Sequence, residues 1–184
     1  MILRGTDPCR RRSRARATQR GVSAVEAAIA FAVGGSLLAV AVPAFVRELH
    51  ASRFAEPVEG LNRIGAAAVA HAHDRPPTEA FPPSAPLTPA TPPRGTRVAD
   101  LPGAWDHPTW QAFAFRPSPE GVPHAFAFAF DSTRAPGRSA FVAHAHGDLN
   151  GNGVTSTFEI RGHTSGDEAA AVLDPGMYVE AEVE

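Results

Sequence analysis

The chain predicts an α+β protein in which one long N-terminal helix packs on a small antiparallel β-sheet. Three observations point there. A nearly uncharged stretch, 22–46, runs straight into an amphipathic one, 47–73. A proline-crowded segment, 74–104, then interrupts all regular periodicity. In the last 80 residues, 105–184, the pattern changes to period-two alternation between turn-forming clusters.

Residues 1–21 come first and stand outside the fold. All 17 basic residues of the protein are arginines, and seven of them lie in the first 20 positions, where Asp7 is the only acid. Without residues 1–21, ten Arg face 18 acidic residues, a formal −8. The basic charge is therefore confined to the leader, and the remaining acidic chain offers no surface suited to nucleic acid. The single cysteine, Cys9, also lies in the leader. The rest of the chain cannot form an internal disulfide and relies on packing, or on a metal.

The stretch 22–46 contains one charge, Glu26, and as a helix it is long enough to cross the roughly 30 Å hydrocarbon layer of a bilayer. In 47–73 the apolar residues Leu49, Phe54, Val58, Leu61, Ile64 and Ala68 recur every three to five positions, and Arg47, Glu48, Glu56, Glu59, Asn62 and Arg63 fall on the other side. One helix over about 22–73 is the simplest account, bent near Pro43 and Pro57, each of which removes a backbone donor. The segment 74–104 is expected to be an extended surface connection, because its prolines exclude helix interiors and central strands.

Within 105–184, "TWQAFAF", "HAFAFAFD", "SAFVAHAH" and "STFEIRG" read as strands, separated by "RPSPEGVP", "STRAPGR" and "GDLNGNG". Phe126, Phe128 and Phe130 fall on one face of their strand and Ala125, Ala127 and Ala129 on the other. An aromatic sheet face needs a cover, and the amphipathic half of the helix supplies it. Trp105, Trp110, Phe113 and Phe115 are expected in the same core. The acidic C-terminus reads equally as an edge strand or as loose chain.

"RGVSAVEAAIAFAVGGSLLAVAVPAF" carries a more specific signal. A basic leader ending in Gly21, then Val22, Ser23, Ala24, Val25, Glu26 and an uncharged run, resembles the cleavage and methylation segment of type IV prepilins and type II secretion pseudopilins. Gly35 and Pro43 stand where that family has the same residues, while Ser23 and Val22 replace its usual Thr and Phe. The resemblance implies cleavage by prepilin peptidase between Gly21 and Val22 and methylation of the new N-terminus. It implies a single-pass inner-membrane precursor and later assembly, by an inner-membrane machine, into a pilus or periplasmic pseudopilus of like or related subunits. The head would be periplasmic or extracellular.

In that setting Glu26 would pair with the new N-terminus of an adjacent subunit. A carboxylate in hydrocarbon costs about 2.5–3.5 kcal/mol on insertion scales, so a partner has to offset it. The other reading places Glu26 at the interfacial end of an ordinary signal anchor of a periplasmic binding domain that never polymerises. A Sec or twin-arginine signal peptide is the third, although 25 residues are long for its apolar region and no apolar residue follows the arginines at the required spacing.

Two constellations raise metal binding. Asp148, Asn150, Asn152, Gly153 and Glu159 satisfy the D-x-[DN]-x-[DN]-G-x5-E spacing of calcium loops, but their flanks read as strands and only two of the four oxygen side chains are charged. A hairpin connection whose Asn-Gly pairs tolerate positive φ is the competing expectation, with calcium as the one cofactor implied. His144 and His146 share one face of a strand and have chelating spacing, with no third ligand in view, whereas His71 and His73 point apart at a helix end. No ordered Ser/His/Asp set, paired acids or phosphate-binding glycine loop has a supporting context, so a structural and non-enzymatic role is expected.

Overall fold

A computed structural model describes residues 21–164 and 170–181, with the side chains of 47–53 left out. The arginine-rich leader with Cys9, the side chains of Arg47, Glu48 and Leu49, and part of the acidic C-terminus lie outside the described residues. The chain divides into two units, 1–46 and 47–184.

Helix α1 (Ala24–Ala72) opens in the first unit, and its helical assignment continues through both Pro43 and Pro57. Its start is a capping box. The Glu26 amide donates to Ser23 Oγ at 3.2 Å, and the Ser23 amide donates back to Glu26 Oε2 at 2.8 Å, so two otherwise unpaired helix-end donors are satisfied reciprocally. Over Ala24–Val46 the helix is apolar on every side and uncovered, with Phe31 82% and Leu37 67% exposed. Its 23 residues rise about 35 Å, enough by length and composition to cross a bilayer, properties that a signal sequence can share.

In the second unit the helix becomes one-sided. Leu61, Ile64, Ala68 and Ala72 recur three or four residues apart, and all four are completely buried. They face a six-stranded, wholly antiparallel sheet built from β1 (Ala85–Thr88), β2 (Ala127–Ala135), β3 (Arg138–Gly147), β4 (Ser156–Thr164), β5 (Ala171–Leu173) and β6 (Tyr178–Glu180). Strands β1 to β4 lie in chain order, and β5 and β6 both pair with the outer edge of β4, β5 opposite Gly162–Thr164 and β6 opposite Thr157–Glu159. The C-terminus thus forms edge strands over 171–173 and 178–180.

The central strands follow the period-two pattern. Phe126, Phe128 and Phe130 are fully buried, joined by Phe141 and Ala143 from β3 and by Phe158 and Ile160 from β4. The aromatic rings meet mostly edge to face: Phe81 on Phe141 at 4.8 Å, Phe113 on Phe130 at 4.9 Å and Phe115 on Phe128 at 5.2 Å. Pro136 and Gly137, the latter at φ 71°, turn β2 into β3, as a type II turn requires.

Two expectations are corrected. "TWQAFAF" is not a strand: Pro108–Ala112 forms a short helix, α2, and Phe113 and Phe115 follow it into the core. Pro108 presets the first helical turn, and the Thr109 amide donates to His107 Nδ1 at 3.3 Å. One helical turn delivers Trp110, Phe113 and Phe115 to a common aromatic cluster with Trp105, and that burial overrides the alternating pattern.

The proline-rich segment is more than a surface connection. It contains a 3-10 turn (Pro77–Glu79), the buried Phe81 and strand β1, which accommodates Pro86 because it is an edge strand. Further along, Asp100 Oδ2 accepts from Trp105 Nε1 at 2.6 Å and faces Nε2 of the buried His124, also at 2.6 Å, while Nδ1 of that ring lies 2.8 Å from the Phe126 carbonyl oxygen. Val98 and His124 exchange backbone hydrogen bonds beside this pair. The connection is thereby fixed to the start of β2.

Candidate functional site

The N-terminal segment places its singled-out residues in a clear local order. Gly21, Val22 and Ser23 precede the helix in non-helical backbone, and Val22 is 76% exposed. Glu26 follows in the first turn, its carboxylate held by the Ser23 amide. Gly35 sits mid-helix with open space where a Cβ would lie, and Pro43 occupies the following stretch of the same uncovered helix. Glu26 is the one ionisable side chain of 21–46, so what the segment offers is an apolar cylinder with one acid at its start.

The 148–153 loop brings Asp148, Asn150 and Asn152 together in successive side-chain-to-backbone turns. The buried Asp148 carboxylate accepts the Gly151 amide at 2.7 Å and the Gly153 amide at 2.9 Å. Asn150 Oδ1 accepts from the Asn152 amide and Asn152 Oδ1 from the Val154 amide. Gly151 and Gly153, at φ 78° and 91°, supply the left-handed backbone these turns need. Outside the loop, the Gly95 amide donates to the Asp148 carbonyl at 2.7 Å, and Gly95, like Gly151, sits at a positive φ (64°) that favours glycine.

Glu159 does not join this loop. It stands on β4 opposite His144, with Oε1 accepting from Arg161 Nε at 2.5 Å and Oε2 lying 3.5 Å from His144 Nδ1. Thus three of the four oxygen donors of the calcium pattern share a loop, and the distal carboxylate faces a histidine. In the side-chain positions present, no group of three or more His, Cys, Asp or Glu is arranged to hold a metal ion among the described residues.

His144 and His146 do share the outward face of β3, with rings nearly parallel (11°) and 5.9 Å apart. Asp131 Oδ2 lies 3.3 Å from His144 Nε2, and Thr157 Oγ1 lies 3.0 Å from His146 Nδ1. Burial, and then the neighbouring His144, hold the His146 imidazole below the ordinary histidine value, against the opposing pull of Glu159. On β6, Tyr178 Oη donates to Glu180 Oε2 at 3.1 Å, which pushes the phenol above its ordinary value. His71 and His73 go separate ways: His71 Nδ1 lies 3.0 Å from the Ala80 carbonyl oxygen, and the exposed His73 pairs with Asp74.

Glu56 departs from the side its spacing predicts. Glu56 belongs to the polar side of α1 by its spacing, yet its carboxylate is turned to the sheet, where Oε1 accepts the amides of Ala125 and Phe126 at 2.7 and 3.0 Å and Oε2 pairs with Arg97. The available hint was an acid with no basic residue three or four positions after it.

Comparison with family models, with curated proteins and with solved structures finds no match to this chain.

Proposed function

We propose that the protein is a type IV pilin-like structural subunit, cleaved by prepilin peptidase between Gly21 and Val22, methylated at Val22, and assembled through its N-terminal helix into a pilus or periplasmic pseudopilus. The observation that carries this reading is the order Gly21, Val22, Glu26, Gly35 and Pro43 within an otherwise uncharged run. The all-round apolar surface of Ala24–Val46 supports it, because such a helix needs lipid before assembly and neighbouring helices afterwards. The helix-on-sheet head supports it as architecture. The role is structural, the partners are other pilin-like subunits and the inner-membrane assembly machinery, and the head stands outside the cytoplasm.

Mass spectrometry of the mature N-terminus tests the reading. A chain beginning at a methylated Val22 is the expected result. A chain that retains Met1 and the arginines, or one that begins beyond Val46, overturns it.

The Ser23–Glu26 capping box favours a second reading, a signal-anchored periplasmic domain that does not polymerise. There the acid has a task within its own chain, the closing of a helix end, and needs no neighbouring subunit.

A further inference from the structure

We propose that His144, His146 and Glu159 form a binding site for a borderline divalent transition-metal ion, of the Zn²⁺ or Cu²⁺ type, on the outward face of the sheet. Two histidines two residues apart on a strand project from the same face, and here the rings are 5.9 Å apart. Chelation by this pair alone would be weak. The strand register supplies the missing ligand, because Glu159 of β4 lies directly opposite His144 with Oε2 3.5 Å from Nδ1.

The donor set decides the class of ion. Two imidazole nitrogens and a carboxylate suit Zn²⁺, Cu²⁺ or Ni²⁺, whereas Ca²⁺ requires six to eight oxygens. Charge favours a cation as well. Asp131 lies on the far side of His144, and Glu180, on β6 opposite Thr157, adds a third carboxylate to this face, against Arg161 as the facing cation. Arg161 is 61% exposed but the Glu159 side chain only 11%, and Arg161 occupies Oε1, so Oε2, which faces His144, is the oxygen the ion would take.

In the structure the rings lie parallel and do not converge, so binding requires them to turn. That motion is confined to side chains, since histidine χ2 has a broad preference. The backbones of β3 and β4 are held by a continuous ladder from Ala140–His163 to Gly147–Ser156, and by Phe141, Phe158 and Ile160 buried on the opposite face. Thr157 Oγ1, a rotatable hydroxyl 3.0 Å from His146 Nδ1, can follow that ring as it turns and leaves Nε2 as the coordinating atom. The bound ion would tie β3 to β4 in a head without cysteine.

The test uses the untagged full chain in detergent micelles. Isothermal titration with Zn²⁺ is expected to show one site that Ca²⁺ does not compete for. Electron paramagnetic resonance of the Cu²⁺-loaded parent protein is expected to show two coordinated imidazole nitrogens, a readout that needs no variant. His144→Gln and His146→Gln should each weaken binding at least about tenfold, while His73→Gln leaves it unchanged. Absence of Zn²⁺ binding, fewer than two coordinated imidazoles, or undiminished binding by the folded His144→Gln/His146→Gln double variant would overturn the proposal.

Discussion

A Cβ on Gly60 would stand 2.5 Å from Cε1 of the fully buried Phe128, so helix and sheet meet with no room for a methyl group. Gly60→Ala therefore sets two effects against each other. Alanine favours a helix interior by about 1 kcal/mol, while overpacking a rigid core costs about 1–3 kcal/mol and the Phe128 ring has no free space to enter. The clash is predicted to win, and thermal unfolding should show a lower Tm for Gly60→Ala; an equal or higher Tm would mean the helix can shift away.

Glu56 links three parts of the second unit through the Ala125 and Phe126 amides and Arg97. Hydrogen bonds to a charged group contribute about 1.5–3 kcal/mol, and Glu56→Ala leaves two amides without their acceptor, so a loss of roughly 2–3 kcal/mol is expected in urea unfolding. Arg97 is 62% exposed, and Arg97→Ala should cost less than about 1 kcal/mol. Equal losses for the two variants would show that the ion pair, and not the amide contacts, carries the anchoring.

Tyr178 is the only tyrosine of the chain, so ultraviolet titration of tyrosinate reports on it alone. The hydrogen bond to Glu180 favours the protonated phenol and raises its value in the folded state. The stabilisation from this pair is fully present below the ordinary tyrosine value near 10 and declines as pH rises through the raised one. Glu180→Gln should move the titration back toward lower pH. An unmoved curve would assign the shift to some other neighbour.

Glu26 has two candidate tasks, and glutamine separates them. Glutamine replaces glutamate in a capping box but carries no charge. If an ionic contact between subunits drives assembly, Glu26→Gln leaves the protein inserted in the membrane and stops its incorporation into filaments, as does Glu26→Ala. Normal incorporation of Glu26→Gln together with failure of Glu26→Ala would reduce the acid to its capping role.

The parts legible in the sequence were those whose periodicity has one interpretation. Leu61, Ile64 and Ala68 repeat at helical spacing, and the Phe126–Phe130 alternation fits a strand alone, so α1 and the central sheet were readable. "TWQAFAF" was not, because a single helical turn and a short strand place the same aromatics at similar intervals, and only Pro108 preceded by His107 signalled the helix. Strand β1 was hidden by Pro86 and the prolines on either side of it, and edge strands tolerate such a residue. The calcium spacing groups Glu159 with the loop because such a pattern runs along the chain, while its neighbour His144 comes from register, which the loop between β3 and β4 fixes only once folded.

The two C-terminal strands share one border of β4, three residues each. A protein cut short before Ala171 would keep its core ladder but bare a nine-residue strand to solvent. Unpaired amides and carbonyls in such a row recruit other polypeptides, so residues 171–180 act as a guard against unwanted sheet extension.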